Sequence, residues 1–226
     1  MSAVLPLFPL GSVLFPGLVL PLHVFEERYR TLVRDLMDLP NGMARTFGVV
    51  AIKHGWEVEH LGSSVTLHDV GCVAEVRQVT SHPDGRFDLV TVGRQRFEIN
   101  RVLADVETPY LQAEVTYLPE ELGEPAEAER LGQRLLAAFR SYLRLIRSDA
   151  AEVVEQLPDN PLVLSHLVAA TASITVADRQ ELLSRPDAVS RLRTELALLH
   201  REIGLLAQLR AVPMPLSELP VTPGPN

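Results

Sequence analysis

The sequence has one lysine, Lys53, and one cysteine, Cys72, among its 226 residues. A single cysteine excludes an internal disulfide, and with no export signal in view it favours a reducing cytoplasm. No GxxxxGK[ST] phosphate loop is present, because Lys53 is followed by His54. We therefore expect neither an ATPase site nor a serine–lysine peptidase dyad. Cys72 has no flanking cation or helix start, so it is predicted to be an inert core residue.

Positive charge is scarce as well. Lys and Arg together number 21 against 29 Asp and Glu, which gives a net charge of -8 and a pI near 5.4. Phosphate binding needs a concentrated basic surface, so a nucleic-acid partner is not expected. The hydrophobic content of 46% is ordinary for a globular protein, and the length is ample for a core.

Charge of either sign is missing from the stretch between Leu5 and Phe25. A run of this length would suggest a membrane helix, which needs about 20 apolar residues. Prolines exclude that interpretation because each one removes a helical hydrogen bond and clashes with the preceding turn. The four prolines are Pro6, Pro9, Pro16 and Pro21. A signal peptide is not predicted either, since no basic residue precedes the run.

The same stretch instead predicts two short buried strands, Val4–Leu10 and Leu18–Val24, with a turn at Phe15-Pro16-Gly17 and a helix from Glu26. We also predict that Phe8 and Phe25 are buried. Asp84-Gly85 indicates a hairpin because glycine accepts positive φ. Further strands are predicted at Phe47–Ile52, Val65–Val70, Cys72–Thr80, Phe87–Val92, Arg96–Leu103 and Leu111–Leu118. Seven or so short strands with one helix favour a half-open barrel.

The composition changes after Leu118, where the segment 119–125 predicts a solvated acidic linker. The chain beyond it is helical. Helices are predicted along Ala126–Ser148, Pro161–Ser173 and Arg185–Arg210, with capping-box-like starts at Thr175 and Ser184. Five prolines in 213–226 predict a disordered tail.

Several ordered motifs carry a resemblance to a known family. They are LPLFPL, VLFPG and LPLHVFEERYR near the start, GVVAI at Gly48–Ile52, VGCVAEV at Val70–Val76, PDGR at Pro83–Arg86, VGRQRFEI at Val92–Ile99, PYLQAEV at Pro109–Val115 and ITVADRQELL at Ile174–Leu183. The chain resembles the N-terminal, substrate-binding domain of the Lon protease. The resemblance implies an α+β fold, with a PUA-like β pseudobarrel at 1–118 and a helical bundle at 126–212.

The resemblance also implies a function. We expect a non-catalytic protein without a cofactor that binds unfolded or degron-bearing polypeptide segments, as an adaptor or a chaperone-like factor in proteolysis. An apolar groove between barrel and bundle would take an extended peptide. The alternative is a structural or regulatory protein that binds one specific partner or itself through its last helix. A membrane partner is not expected, and the oligomeric state stays open.

The candidate binding residues form two groups, each with a second interpretation. Phe15, Pro16 and Leu18 mark a partner site if exposed and are core if buried. Arg94 and Arg96 beside Gly93 can present a basic patch to a peptide carboxylate, or they can lie in a solvated turn.

Two histidine patterns are weaker. His23 and Glu26 can form an acid–base pair, although a structural hydrogen bond of His23 at the strand–helix junction is favoured. The only cluster predicted from the sequence as a possible metal site is His54, Glu57, Glu59, His60 and His68. Its spacing matches no zinc pattern, so no metal site is predicted.

The last helix carries one apolar stripe more than a single packing face needs. The surplus residues are Leu198, Leu205 and Leu209. Burial within the chain is favoured over contact with another molecule, because monomers seldom leave large apolar patches bare.

Overall fold

The computed structural model describes residues 2–40, 42–54, 66–104, 106–147 and 149–210. The described strands are β1 (Ser2–Leu10), β2 (Val19–Val24), β3 (Thr46–His54), β4 (Thr66–Leu67), β5 (Val70–Ser81), β6 (Phe87–Val102) and β7 (Gln112–Tyr117). The described helices are α1 (Glu27–Met37), α2 (Pro125–Ile146), α3 (Ala150–Glu155), α4 (Pro161–Thr171), α5 (Val176–Leu183) and α6 (Ala188–Arg210). The predicted α+β architecture is confirmed. Among these residues no helix combines the length and apolar composition that a membrane crossing requires.

The strands close into a barrel in the order β1-β7-β6-β5-β3. Closure comes from a parallel pairing in which Leu7 to Leu10 of β1 align with Gly48 to Ala51 of β3, and the other pairings are antiparallel. The long strand β6 pairs with β5 and β7 and, through its first half, with β2. β2 is therefore attached to the barrel through β6 and does not take part in closing it.

The prediction of two strands separated at Gly93-Arg94-Gln95 is wrong, because β6 runs without a break from Phe87 to Val102. Gly93 instead allows the turn at residues 15–18 to lie close to the β6 backbone. A Cβ at this position would lie 2.1 Å from the carbonyl oxygen of Phe15. The contact is held by hydrogen bonds from Gly17 N to Gly93 O and from Gly93 N to Leu18 O, both 2.8 Å. The glycine thus lets the β1–β2 turn lie against β6.

The predicted burial of the first two strands is correct for β1 around Phe8 and wrong for the outer face of β2. Phe8 is buried, and its ring stacks on Tyr29 with centroids 4.0 Å apart. Val19 is 62% exposed and Phe25 is 56% exposed. β2 packs on one face only, so its residues alternate between covered and exposed.

The helices form a second layer in which α2 packs against α6 and α4. The start predicted at Thr175 is confirmed as a capping box with Asp178. The start predicted at Ser184 is wrong, because Ser184 ends α5. Asp187 caps α6 instead, its carboxylate accepting a 2.7 Å hydrogen bond from Ser190 N.

The remaining differences concern the segments between and on the helices. The acidic segment reaches only to Glu124, which caps α2 by accepting hydrogen bonds from two backbone N–H groups. The short helix α3 had no periodic signal and was not predicted.

The expectation that the surplus stripe of the last helix is buried is wrong for Leu205, which is 50% exposed. The segment 213–226 and the side chain of Leu209 lie outside the described residues.

The contrast between Phe8 and Phe25 gives a stability prediction. Phe8→Ala removes a buried ring and is expected to cost about 3–5 kcal/mol of unfolding free energy. Phe25→Ala removes an exposed ring and is expected to stay within about 0.5 kcal/mol of the wild type. Urea denaturation followed by far-ultraviolet circular dichroism measures both. Equal shifts of the two midpoints would contradict the assignment of these faces.

Candidate functional site

An apolar pocket opens where β1, β2 and the start of α1 meet. We call it the β1–β2 pocket; its cavity is about 90 Å³. It is lined by Phe8, Pro9, Leu10, Leu22, His23, Val24, Phe25, Glu26 and Tyr29. Seven of the nine residues belong to the uncharged opening stretch, and Glu26 and Tyr29 come from the start of the helix that follows it. The pocket is therefore built by one continuous segment of the chain.

The inner wall of the pocket is closely packed and its rim is open. Phe8 is held between Tyr29 at 4.0 Å and Phe47 at 5.6 Å between ring centroids, and Val24 is also buried. Phe25 stands at the rim with more than half of its surface in water. An ordered apolar wall beside an exposed aromatic ring is the arrangement expected of a binding surface, not of a packed core.

One edge of β2 lies free beside this pocket. The carbonyl oxygens of Leu18 and Leu20 face β6, where they accept hydrogen bonds from Gly93 N and from Thr91 Oγ1, both at 2.8 Å. Backbone groups alternate along a strand, so those of Val19, Pro21 and His23 point the other way. Within the described residues β2 pairs with β6 only. Pro21 has no N–H, so this edge can form only a short ladder with another chain.

His23 borders the pocket and does not pair with Glu26. Its Nδ1 lies 2.6 Å from Asp88 Oδ1, and His82 Nε2 lies 2.6 Å from Asp88 Oδ2. These two hydrogen bonds lower the pKa of Asp88. Glu26 instead forms an ion pair with Arg28 at 2.6 Å. The predicted structural role of His23 is thus realised across β2 and β6, and the acid–base pair with Glu26 is not formed.

A buried polar cluster lies between the barrel and the helices. We call it the Arg96 network; it comprises Arg96, Glu120, Ser165, His166, Arg191 and Glu195. Arg96 is 1% exposed and donates to Glu120 at 2.5 Å. It also donates to the carbonyl oxygens of Pro119 at 3.0 Å, Leu183 at 2.9 Å and Arg185 at 2.6 Å. One side chain on β6 therefore holds the start of the helical segment and the α5–α6 connection.

Glu120 is the acceptor at the centre of this network. Desolvation opposes its ionisation, but the hydrogen bonds from His166 and Arg96 outweigh that effect and lower the pKa of Glu120 to about 2. Burial lowers the pKa of His166 despite its 3.1 Å contact with Glu120. The prediction that this segment is a solvated linker is therefore wrong for Glu120.

The residues of the Arg96 network that lie farthest from β6 are the most deeply buried. Arg191 donates through Nε to Ser165 Oγ at 2.6 Å, and Ser165 lies 3.4 Å from Glu195 Oε1. Burial raises the pKa of Glu195 well above its ordinary value. These three groups are buried among the helices, and in the whole network only Glu120 keeps a partly exposed side chain, at 23%. The network therefore joins two layers of the fold.

The predicted site residues are thus separated by the structure. Phe15 is fully buried and belongs to the core of the helices, which is the core alternative. Pro16 and Leu18 are half-buried beside it. Arg96 is buried in the network, so neither a basic patch nor a solvated turn describes it. Arg94 is exposed and pairs with Glu75.

The histidine cluster of the sequence falls mostly outside the described residues. Glu57, Glu59, His60 and the side chain of His54 lie there, whereas His68 is half-buried after β4. Sequence reasoning missed the β1–β2 pocket and the grouping of His23 with His82 and Asp88. The uncharged stretch was a signal for the first, and no spacing along the chain signals the second.

The described residues thus combine a β-barrel, a helical layer and an open apolar pocket at the β1–β2 edge. A family model for the ATP-dependent protease La (LON) substrate-binding domain matches residues 4–201. The chain belongs to this family, as its opening motifs suggested. No ATPase or peptidase region of a Lon protease is included in the match.

Individual Lon proteases also align with most of this chain. The chain is 29% identical over 212 residues to a Lon protease of Brevibacillus choshinensis, covering 92% of this chain and 26% of the relative. It is 31% identical over 208 residues to Lon protease 2 of Sorangium cellulosum, covering 89% of this chain and 25% of that protein. The chain thus spans about a quarter of the length of the curated relatives it matches.

Two solved structures share the fold. The Lon N-terminal domain protein from Xanthomonas campestris superimposes with a TM-score of 0.60 at 26% identity, covering 86% of this chain and 98% of that chain. The N-terminal domain of the Mycobacterium avium complex Lon protease gives 0.67 at 19% identity, covering 88% and 98%. The second likeness shows the fold alone.

The lowered pKa of Glu120 predicts a specific acid response. The folded pKa of about 2 lies below the ordinary value of 4.5, so ionised Glu120 stabilises the fold above pH 4.5, and this contribution is lost as the pH falls toward 2. Glu120→Gln lacks this contribution. We expect the melting temperature of the wild type to fall more steeply than that of Glu120→Gln between about pH 4.5 and 2.

The matched control is Glu114→Gln, which removes an exposed partner of Arg101. It is expected to reproduce the wild-type slope because exposed ion pairs contribute little. Parallel slopes for the wild type and Glu120→Gln would show that Glu120 is not the acid-sensitive group.

Proposed function

We propose that the chain captures extended, apolar polypeptide segments at the β1–β2 pocket and performs no chemistry on them. The observation that carries this proposal is the half-exposed ring of Phe25 at the rim of a pocket whose inner wall is fixed by the stacked Phe8 and Tyr29. Exposed aromatic anchors beside an ordered apolar wall are characteristic of interface hot spots.

The size of the pocket favours a peptide side chain over a small molecule. Ligand pockets for small molecules measure about 300–1,000 Å³, whereas this cavity is about 90 Å³. A single apolar side chain is the occupant that fits such a volume. Phe25, Leu22 and Leu10 then surround it, and the open rim leaves room for the rest of an extended chain.

The free edge of β2 adds a limited main-chain contribution. Val19 and His23 offer backbone groups on that edge, while Pro21 between them offers no donor. Strand addition is therefore short, and side-chain burial provides most of the affinity. Recognition of this kind is selective for apolar character and tolerant of sequence, which suits unfolded or degron-bearing clients.

Membership of the Lon substrate-binding family supports a place in proteolysis. We propose that the chain serves as an adaptor or a chaperone-like factor and is not itself an enzyme, since its one lysine, Lys53, has no phosphate loop or peptidase motif beside it. A cytoplasmic location fits its one cysteine, which is buried as a free thiol.

The proposal predicts that Phe25→Ala weakens peptide binding without unfolding the protein. Fluorescence anisotropy with a panel of labelled, extended peptides rich in Leu and Phe measures the affinity. We expect Kd to rise about tenfold for most of the panel, which corresponds to about 1.4 kcal/mol, and the peptides to remain uncut. The melting temperature of Phe25→Ala should match the wild type.

The control variant is Val163→Ala, which removes an apolar side chain that is 52% exposed on α4. It should leave every Kd unchanged. Binding by the wild type that Phe25→Ala does not alter would refute this site. Failure of the whole panel, together with one stoichiometric partner or self-association sensitive to Leu205→Glu, would favour the alternative, a protein with a single dedicated partner.

A further inference from the structure

Three potential metal ligands converge at the outer end of β2. His23 lies on β2, His82 follows β5, and Asp88 is near the start of β6. One ligand atom from each of the three lies within 4.8 Å of the other two. Asp88 is 49% exposed and His23 48% exposed at their side chains, so the group is open to solvent on one side.

We propose that His23, His82 and Asp88 form a binding site for a divalent transition metal, with Zn²⁺ as the ion that fits best. Two imidazoles and one carboxylate are a donor set that zinc accepts in proteins. Such a set with three protein ligands leaves a fourth position for water or another ligand.

The distances are compatible with this ion after small side-chain movements. Zn–N and Zn–O bonds of about 2.0–2.2 Å in a tetrahedron place the donor atoms about 3.4 Å apart. His23 Nδ1 and His82 Nε2 lie 2.6 Å from different oxygens of Asp88, Oδ1 and Oδ2 respectively. Both contacts have to lengthen, and the carboxylate has to turn, for the three donors to surround one ion. Without the metal, the same atoms share hydrogen-bond protons; with it, both imidazoles present a lone pair to the ion.

The backbone already fixes two of the three ligands relative to each other. His23 and Asp88 are directly paired residues of β2 and β6, and the hairpin closes with a 2.9 Å hydrogen bond from His82 N to Arg86 O. Residues opposite each other in an antiparallel pair have Cβ atoms about 4.5–5.5 Å apart. The framework thus places the ligands before any metal arrives, which reduces the ordering that binding requires.

The guanidinium of Arg86 lies beside the site, with Nη1 3.4 Å from His23 Nε2. Coordination through His23 Nδ1 leaves the proton on Nε2, so this guanidinium has to turn away when the ion binds. Arg86 is anchored to Asp84, with Nε 2.6 Å from Asp84 Oδ2. This carboxylate offsets the charge of the guanidinium. Asp88 then supplies the negative charge that attracts a divalent ion. Because His23 also lines the β1–β2 pocket, a bound ion would join the pocket rim to the β5–β6 hairpin.

The test is isothermal titration of the untagged chain with ZnCl₂ at neutral pH. We expect one ion per chain and a higher melting temperature in its presence. His82→Ala and Asp88→Asn should each weaken Zn²⁺ binding at least about tenfold, in line with the loss of one ligand. Circular dichroism confirms that both variants fold.

Two single-histidine variants act as controls. His200→Ala removes an exposed histidine of α6, and His60→Ala removes the histidine at the centre of the cluster considered in the sequence. Both should bind Zn²⁺ like the wild type. Absence of binding by the wild type, or a loss in His60→Ala with none in His82→Ala, would overturn the assignment. Neither result bears on peptide capture, which is measured without metal.

Discussion

The guanidinium of Arg96 is buried in the middle of β6, and the arrangement of the two halves of the molecule follows from satisfying it. A buried charge is tolerated only with a counter-charge and a full set of acceptors. Arg96 obtains the charge from Glu120 and the acceptors from the carbonyl oxygens of Pro119, Leu183 and Arg185. Pro119 lies before α2, Leu183 is the last residue of α5 and Arg185 follows it, so this one side chain ties both ends of the helical segment to the barrel.

The opening stretch of the chain supports both halves at once. Its turn places Phe15 in the core of the helices, and Gly93 allows this turn to lie directly on β6. Its second strand and the residue after it carry Phe25 and the pocket rim outward. The uncharged stretch therefore contributes one aromatic side chain to the core, Phe15, and another to the surface, Phe25.

The sequence predicts local features and fails where distant residues meet. The last strand at Leu111–Leu118, the Asp84-Gly85 hairpin and the Thr175 cap each depend on neighbouring residues, and each was predictable. Gly93 suggested a break between two strands. The glycine is in fact needed for the close backbone contact with Phe15, a residue far away in the sequence. Arg96 looked like a surface residue because its acceptors are carbonyl groups that no side-chain pattern reveals. Phe25 continued an apolar run, and only the one-sided attachment of β2 explains its exposure.

We expect the Arg96 network to make the barrel and the helices one cooperative unit. Native-state hydrogen exchange of the wild type and of Arg96→Met tests it most directly, because methionine keeps an apolar stem and removes the guanidinium. We predict equal opening free energies for amides of α4 and β6 in the wild type. In Arg96→Met, those of α4 and of α6 near Ala188 should fall by at least about 1 kcal/mol relative to β6. Unequal values already in the wild type, or an equal decrease in both halves of the variant, would contradict the claim.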